Sequence, residues 1–275
     1  MKTIANGVMR KMQTRLEEPV SYAMSLDKQP YSLNSLLGKP MRLKHSGNIF
    51  CVACGRKTNK SFNQGYCYSC FTKLAQCDTC IMSPELCHYH KGTCREPAWG
   101  EQSCMQDHIV YLANSSGLKV GITRATQVPT RWIDQGATQA LAIIRVRNRL
   151  QSGNLEVMFK QHVSDKTNWR DMLKGDATTL SMQDEAQQLL TKCRTEINEL
   201  ETRFGFFAIS ILNGIEPVTI KYPVQSHPTR ITSLNLDKQA TVEGTLLGIK
   251  GQYLIFDCGV INLRRFTGYE VTLMH

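Results

Sequence analysis

Six cysteines form three C-x2-C pairs, Cys51/Cys54, Cys67/Cys70 and Cys77/Cys80, and Cys87, His88, His90, Cys94 and Cys104 follow. A C-x2-C turn aims two thiolates at one point, and two such turns about 12 residues apart complete a tetrahedral zinc site. Cys51, Cys54, Cys67 and Cys70 have that spacing, with Gly55 and Gly65 placed for tight turns. A disulfide framework is the competing reading. The first 16 residues are basic without a continuous apolar run and do not resemble a secretory signal, and reduced compartments favour metal over disulfides. Cys77 and Cys80 need two further ligands. Cys87 and Cys94 are preferred, with His88, His90 or Cys104 as substitutes, and a cross-braced pairing also fits the spacing. The expectation is two structural zinc ions with four protein ligands each, which leaves no open coordination position for catalysis.

A second set of residues could act on phosphodiesters. Glu156 is the candidate ligand for one Mg²⁺ or Mn²⁺, a Lewis acid that keeps most of its waters. Arg131 offers planar bidentate donation to phosphate. Tyr111 could orient or deprotonate water if its surroundings lower the phenol, and Lys119 could lower it or meet the phosphate. Each has a plainer role. Tyr111 could be a packed aromatic and Lys119 a solvated strand residue. Arg131 could pair with Asp134 three residues on, and Glu156 with Lys160 at i+4. Trp169-Arg170 could stack on a base, but a core anchor is the preferred reading. His108, His162 and His227 are expected to be structural, and Cys193 and Cys258 small core residues.

These residues need elements to hold them. Met41, Leu43 and His45 alternate with Arg42 and Lys44, which predicts a strand leading into the cysteines. Residues 109–113 and 118–122 predict a hairpin turning at Asn114-Ser115-Ser116-Gly117. Pro129 predicts the first turn of a helix through Arg131, followed by a third strand over 140–146 and a helix opening at Gly153-Asn154. Met182, Ala186, Leu189, Leu190, Cys193, Ile197, Leu200 and Phe204 keep a 3.6 spacing, which predicts one helix over 181–204, capped by Ser181 and stopped by Gly205. After Phe206 the chain reads as short strands turning at glycines, a small barrel or an added sheet.

In order and spacing, residues 108–173 resemble the GIY-YIG nuclease superfamily. Its divergent branches have a Tyr in the first strand, Lys-Val-Gly or Lys-Ile-Gly in the second, an Arg on the first helix and a Glu on a later one. Here these are Tyr111, Lys119-Val120-Gly121, Arg131 and Glu156, and 155–170 resembles the late helix and aromatic ending of those branches. The chain departs from the pattern in two places. Ile109-Val110-Tyr111 stands for Gly-Ile-Tyr, and Lys119 sits where many members have the second tyrosine. The resemblance implies a metal-dependent endonuclease with Tyr111, Lys119, Arg131 and Glu156 as catalytic residues. The whole chain also resembles an uncharacterised prokaryotic family that combines the cysteine segment, Gly92-Thr93-Cys94-Arg95, Val110-Tyr111-Leu112-Ala113 and the Arg131-to-Gly136 run. That resemblance carries no activity.

The expected fold is α+β. A β or irregular segment (1–50) leads into a zinc-ribbon-like module (51–107). A small GIY-YIG-like antiparallel sheet with helices and the long helix follows (108–205), and then a C-terminal β region (206–275). The net charge is +10, and residues 108–180 carry ten Lys/Arg against five Asp/Glu. Such an excess suits a phosphate-binding surface. The longest apolar stretch, 204–215, is broken by Gly and Ser and is too short to span a bilayer. The expected partner is nucleic acid, DNA or RNA, with a protein as the other class the cysteine module allows. No membrane is expected, and the expected location is the cytoplasm.

Overall fold

The computed structural model describes all 275 residues as an α+β protein built on two antiparallel sheets. The first part of the chain supplies β1 (Thr3–Arg15), β2 (Ser21–Leu26), β3 (Gln29–Ser32), β4 (Pro40–Phe50) and β5 (Lys57–Thr58). The middle supplies α1 (Tyr68–Lys73), α2 (Pro97–Cys104), β6 (His108–Asn114), β7 (Leu118–Arg124), α3 (Thr130–Asp134), β8 (Gln139–Val146), α4 (Arg149–Phe159) and α5 (Trp169–Lys174). Then come α6 (Met182–Lys192), α7 (Arg194–Phe204), β9 (Ile209–Ile211), β10 (Val218–Thr219), β11 (Thr241–Lys250), β12 (Tyr253–Phe256), β13 (Gly259–Asn262) and β14 (Tyr269–Met274).

Nine strands run in the order β13-β12-β11-β4-β14-β1-β2-β3, with β5 on β4. The two ends of the chain, set apart in the sequence reading, therefore share one sheet, because β14 pairs with both β1 and β4. Met9 and Met12 of β1 are both buried although three residues apart, since a register shift between Arg10 and Gln13 resets the period-2 alternation. The second sheet runs β10-β8-β6-β7, with β9 on β8.

Each face of β6 meets a different partner. Ile109, Tyr111 and Ala113 join a core shared with the nine-stranded sheet, while Val110 and Leu112 face α4, α6 and α7. That alternation makes three layers, sheet on sheet on helices. No helix is long and apolar enough to cross a membrane.

Four local expectations change. The helix over 181–204 is two helices, because Cys193 leaves helical geometry (φ −101°, ψ 19°). A straight helix would run about 36 Å; the break lets α6 lie on β8 while α7 packs on α4. The Ser181 side chain makes no capping bond, although Gly205 ends α7 at φ +94° as expected. Helix α4 opens at Arg149, not Gly153, because the Asn148 side chain accepts the Gln151 N–H at 3.0 Å. Cys258 is exposed in the turn between β12 and β13, not a core residue.

Candidate functional site

Strand β4 delivers Cys51 at its end, and β5 turns back to pair with β4 at Ile49 and Phe50. Between them Cys51–Cys54 forms a tight turn, closed by the Gly55 N–H on the Cys51 carbonyl at 2.9 Å, with Gly55 at φ +73°. Gly65 is required twice over: its φ is +129°, and a Cβ there would stand 2.6 Å from Val52 Cγ1. This close approach brings the second turn against the first. Cys67 precedes α1 and Cys70 lies inside it. The four sulfurs all lie within 4.8 Å of one another, and Cys54 and Cys67 are 3.8 Å apart. Burial works to raise the Cys51 thiol, but N–H donation from Cys54, Cys67 and Ala53 outweighs it and holds Cys51 at about 6. The soft donor set and its closed geometry fit a structural zinc ion.

The later cysteines divide differently from the preferred ligand set. Cys80, Cys87, Cys94 and Cys104 line one cavity of about 10 Å³, walled by Tyr89 and Trp99. Cys77 is outside it, beside Asn63, Arg95 and Glu96. Asp78, Cys80 and His88 also lie within 4.8 Å of one another. Asp78 is already held by Arg95 at 2.7 Å and by the Cys80 N–H, and His88 Nδ1 meets the Thr93 hydroxyl at 2.8 Å. His90 is exposed and does not line the cavity.

Tyr111 pairs across the hairpin with Gly121, and the pairing demands that glycine: a Cβ there would come 2.6 Å from the tyrosine hydroxyl. The ring is fully buried and edge-on to Trp132, and its hydroxyl donates to Gln135 Oε1 at 3.1 Å. Burial pushes this phenol above its ordinary value, against the pull of the Arg131 charge. Tyr111 is thus a poor base at neutral pH.

Lys119 lies on β7, the edge strand, under residues 160–168. The Val120 N–H donates to the Ser164 carbonyl, and Lys119 Nζ donates to Thr167 Oγ1 at 2.6 Å. Burial, and then the charge of Arg131, bring the amine down to about 7, while Asp165 and Glu156 act in the opposite sense. Glu156 is raised by burial and pairs with Lys160 at 3.6 Å; Lys160 also meets Asp165 at 3.1 Å.

The expected Arg131–Asp134 pair does not form. Asp134 instead takes Lys11, the Gln252 amide at 2.8 Å and, at 4.0 Å, Arg264. Arg131 makes no ion pair, and burial together with the Arg131 charge lowers Arg264. Trp169 stacks on Tyr253 (5.5 Å, 6° between planes) with Arg170 over its ring, so it anchors α5 to the nine-stranded sheet. His108 is buried and brought down to about 4, chiefly by desolvation, as a structural histidine would be.

Asp165, Thr167 and Arg264 were not assigned to this site from sequence. Asp165 and Thr167 lie in an irregular segment, and Arg264 lies 133 residues beyond Arg131 in sequence, so no local spacing links them.

A four-cysteine cluster beside a two-sheet α+β body defines a cysteine-rich α+β protein with a candidate zinc site. The profile of a family described as a protein of unknown function, DUF2797, matches residues 38–271, and the chain belongs to that family. Comparison with curated proteins gave no match. Comparison with solved structures gave none either.

Proposed function

We propose that this protein binds nucleic acid and cleaves its phosphodiester backbone at Lys119, Arg131 and Glu156, with the GIY-YIG-like order of those residues as the underlying pattern. The zinc reading includes a structural ion at Cys51, Cys54, Cys67 and Cys70 and a second held by the later cysteines. One observation carries the functional reading. Burial first, and then the Arg131 charge, lowers both Lys119 and Arg264, and Arg131 has no carboxylate partner. Folding does not gather cations with so few carboxylate partners without cost, and a phosphate would relieve it.

The roles differ from the sequence expectation at Tyr111, Lys119 and Asp165. Tyr111 is fixed by Gln135 and Gly121 and serves as a positioning residue. Lys119, near neutrality when the site is unliganded, is the better general base. Arg131 neutralises the phosphate oxygens. Lys160 Nζ stands between the Glu156 and Asp165 carboxylates, so this pair of acids already holds a cation and fits a hydrated Mg²⁺ or Mn²⁺. Such an ion would supply Lewis-acid stabilisation of the leaving oxygen.

The full burial of Tyr111 favours a second reading, in which the same surface binds without cutting. Labelled single- and double-stranded DNA and RNA, incubated with Mg²⁺ or Mn²⁺ beside a Glu156→Gln variant, separate the two. Cleavage by the native chain that vanishes in the variant, and rises with pH through about 7, supports the first. Retention without cleavage that weakens steeply with salt supports the second. Retention insensitive to salt ends both.

A further inference from the structure

We propose that the second metal centre is held by Cys80, Cys87, Cys94 and Cys104, with Cys77 excluded, and that this centre is the bracket on which α4, and therefore Glu156, is seated. The inference rests on the reading that the later cysteines hold a metal. It does not depend on the phosphodiester reading.

The four thiols share one small cavity. Its volume of about 10 Å³ is that of a single small sphere, and Cys80, Cys87 and Cys104 are each more than nine-tenths buried there. Asp78 and His88 also line this cavity, beside Tyr89 and Trp99, but a soft cation favours the thiols over a carboxylate. The spacing hides this set. Cys77/Cys80 looks like a pair, yet the Asp78 carboxylate caps the turn that follows, accepting from the Cys80 N–H. Asp78 then pairs with Arg95, and the Cys77 side chain falls on the Asn63 side of the chain. Of the other donors near Cys80, Asp78 is held by Arg95, and His88 turns Nδ1 to Thr93 and Nε2 to Asp78 at 3.6 Å, which makes His88 the competing ligand that the His88→Ala variant tests.

The first turns of α4 are built onto this centre. Arg149 donates to the Cys80 carbonyl at 3.3 Å and to the Ile81 carbonyl at 2.6 Å, and Leu150 packs on the cysteines. A zinc ion with four thiolates carries a net charge of −2, which the Arg149 guanidinium is placed to offset. Gly153 lies against the turn Pro84–Leu86 so closely that a Cβ would stand 2.3 Å from the Glu85 nitrogen. Glu156 follows three residues later on the same helix. Loss of the second metal should therefore loosen α4 while the nine-stranded sheet stays intact.

Zinc content of the purified full chain, read with backbone amide exchange, tests this. Two zinc ions per chain are expected, falling to one in Cys104→Ser and remaining two in Cys77→Ser and His88→Ala. In Cys104→Ser, exchange over 149–159 should quicken at least tenfold, with β4 and β14 unchanged. One zinc in the native chain would defeat the underlying metal reading. Two zinc ions in Cys104→Ser, or one in Cys77→Ser or His88→Ala, would overturn the ligand set alone. If Cys104→Ser does not fold, cobalt loading of the native chain decides. All-sulfur charge-transfer bands from both centres are expected, and a nitrogen- or oxygen-containing second centre refutes the set. Unchanged exchange in a one-zinc Cys104→Ser refutes the bracket.

Discussion

The sheet body and the cysteine-rich segment solve the same problem by different chemistry. The shared core of the two sheets gathers 32 buried residues, among them Met9, Tyr22, Leu43, Tyr111, Trp132 and Phe256. Between 51 and 104 no Leu, Ile, Val, Met or large aromatic is buried. The buried side chains there are Cys51, Cys77, Cys80, Cys87 and Cys104, with only small companions such as Ala75, Pro84 and Ser103. Its helical pieces are mostly single three-residue turns. The hydrophobic effect can hold the first region; the second has too little apolar area to bury and needs a cross-link. The contrast teaches where this fold is vulnerable, and each prediction below tests how separate the two regions are.

The largest effect is expected from metal removal. Strong chelation should erase amide protection over 51–104, because zinc binding free energy is folding free energy in such modules. Protection in β1, β4, β14 and α6 should survive, and the ellipticity of α6 and α7 with it. Loss of protection everywhere would show that the regions fold as one cooperative unit.

A single methyl tests the seam. Gly153→Ala places a Cβ within van der Waals overlap of the Glu85 nitrogen and the Pro84 carbonyl carbon, both backbone atoms that cannot swing aside. Alanine raises intrinsic helix propensity by up to about 1 kcal/mol, but overpacking costs about 1–3 kcal/mol and should prevail here. A lower denaturant midpoint with separated transitions for the two regions is expected. A higher midpoint would mean that the seam is loose and α4 independent of the cysteine turns.

The regions also differ in how much the sequence reveals. The four-cysteine cluster was legible because its members are local: two C-x2-C turns and two glycines carry the geometry. The grouping of the later cysteines was only half legible. Spacing made Cys77/Cys80 a pair, whereas the Asp78–Arg95 contact parts them, and that contact crosses 17 residues without a pattern. The hairpin over β6 and β7 was legible from its alternation and its turn residues. The nine-stranded sheet was not, since β14 meets β1 across nearly the entire chain and no periodicity encodes a partner that far away. The break at Cys193 was hidden by an unbroken apolar stripe.

Within the body, Lys119 is the charge most at odds with its surroundings. Its amine releases a proton more readily in the folded chain than in the unfolded one, at about 7 against 10.5. Unfolding therefore takes up a proton between those values, and stability rises with pH through that window. Lys119→Met removes the buried ammonium. It should be more stable than the native chain at pH 6, by up to about 5 kcal/mol, with the gap closing towards pH 10. Denaturant midpoints at several pH values measure this. A gap that stays constant with pH would place the ammonium in solvent.

The smallest effect separates positioning from chemistry at Tyr111. Tyr111→Phe keeps the ring against Trp132 and loses only the hydrogen bond to Gln135, a change worth about 1 kcal/mol. Gln135 begins the turn after the helix that carries Arg131, so releasing it should loosen the arginine more than the fold. Nucleic-acid retention should weaken a few fold with little change in its slope against salt, because the number of phosphate contacts is unchanged. Abolished cleavage with unchanged retention would instead make the phenol a participant in the reaction, despite its burial.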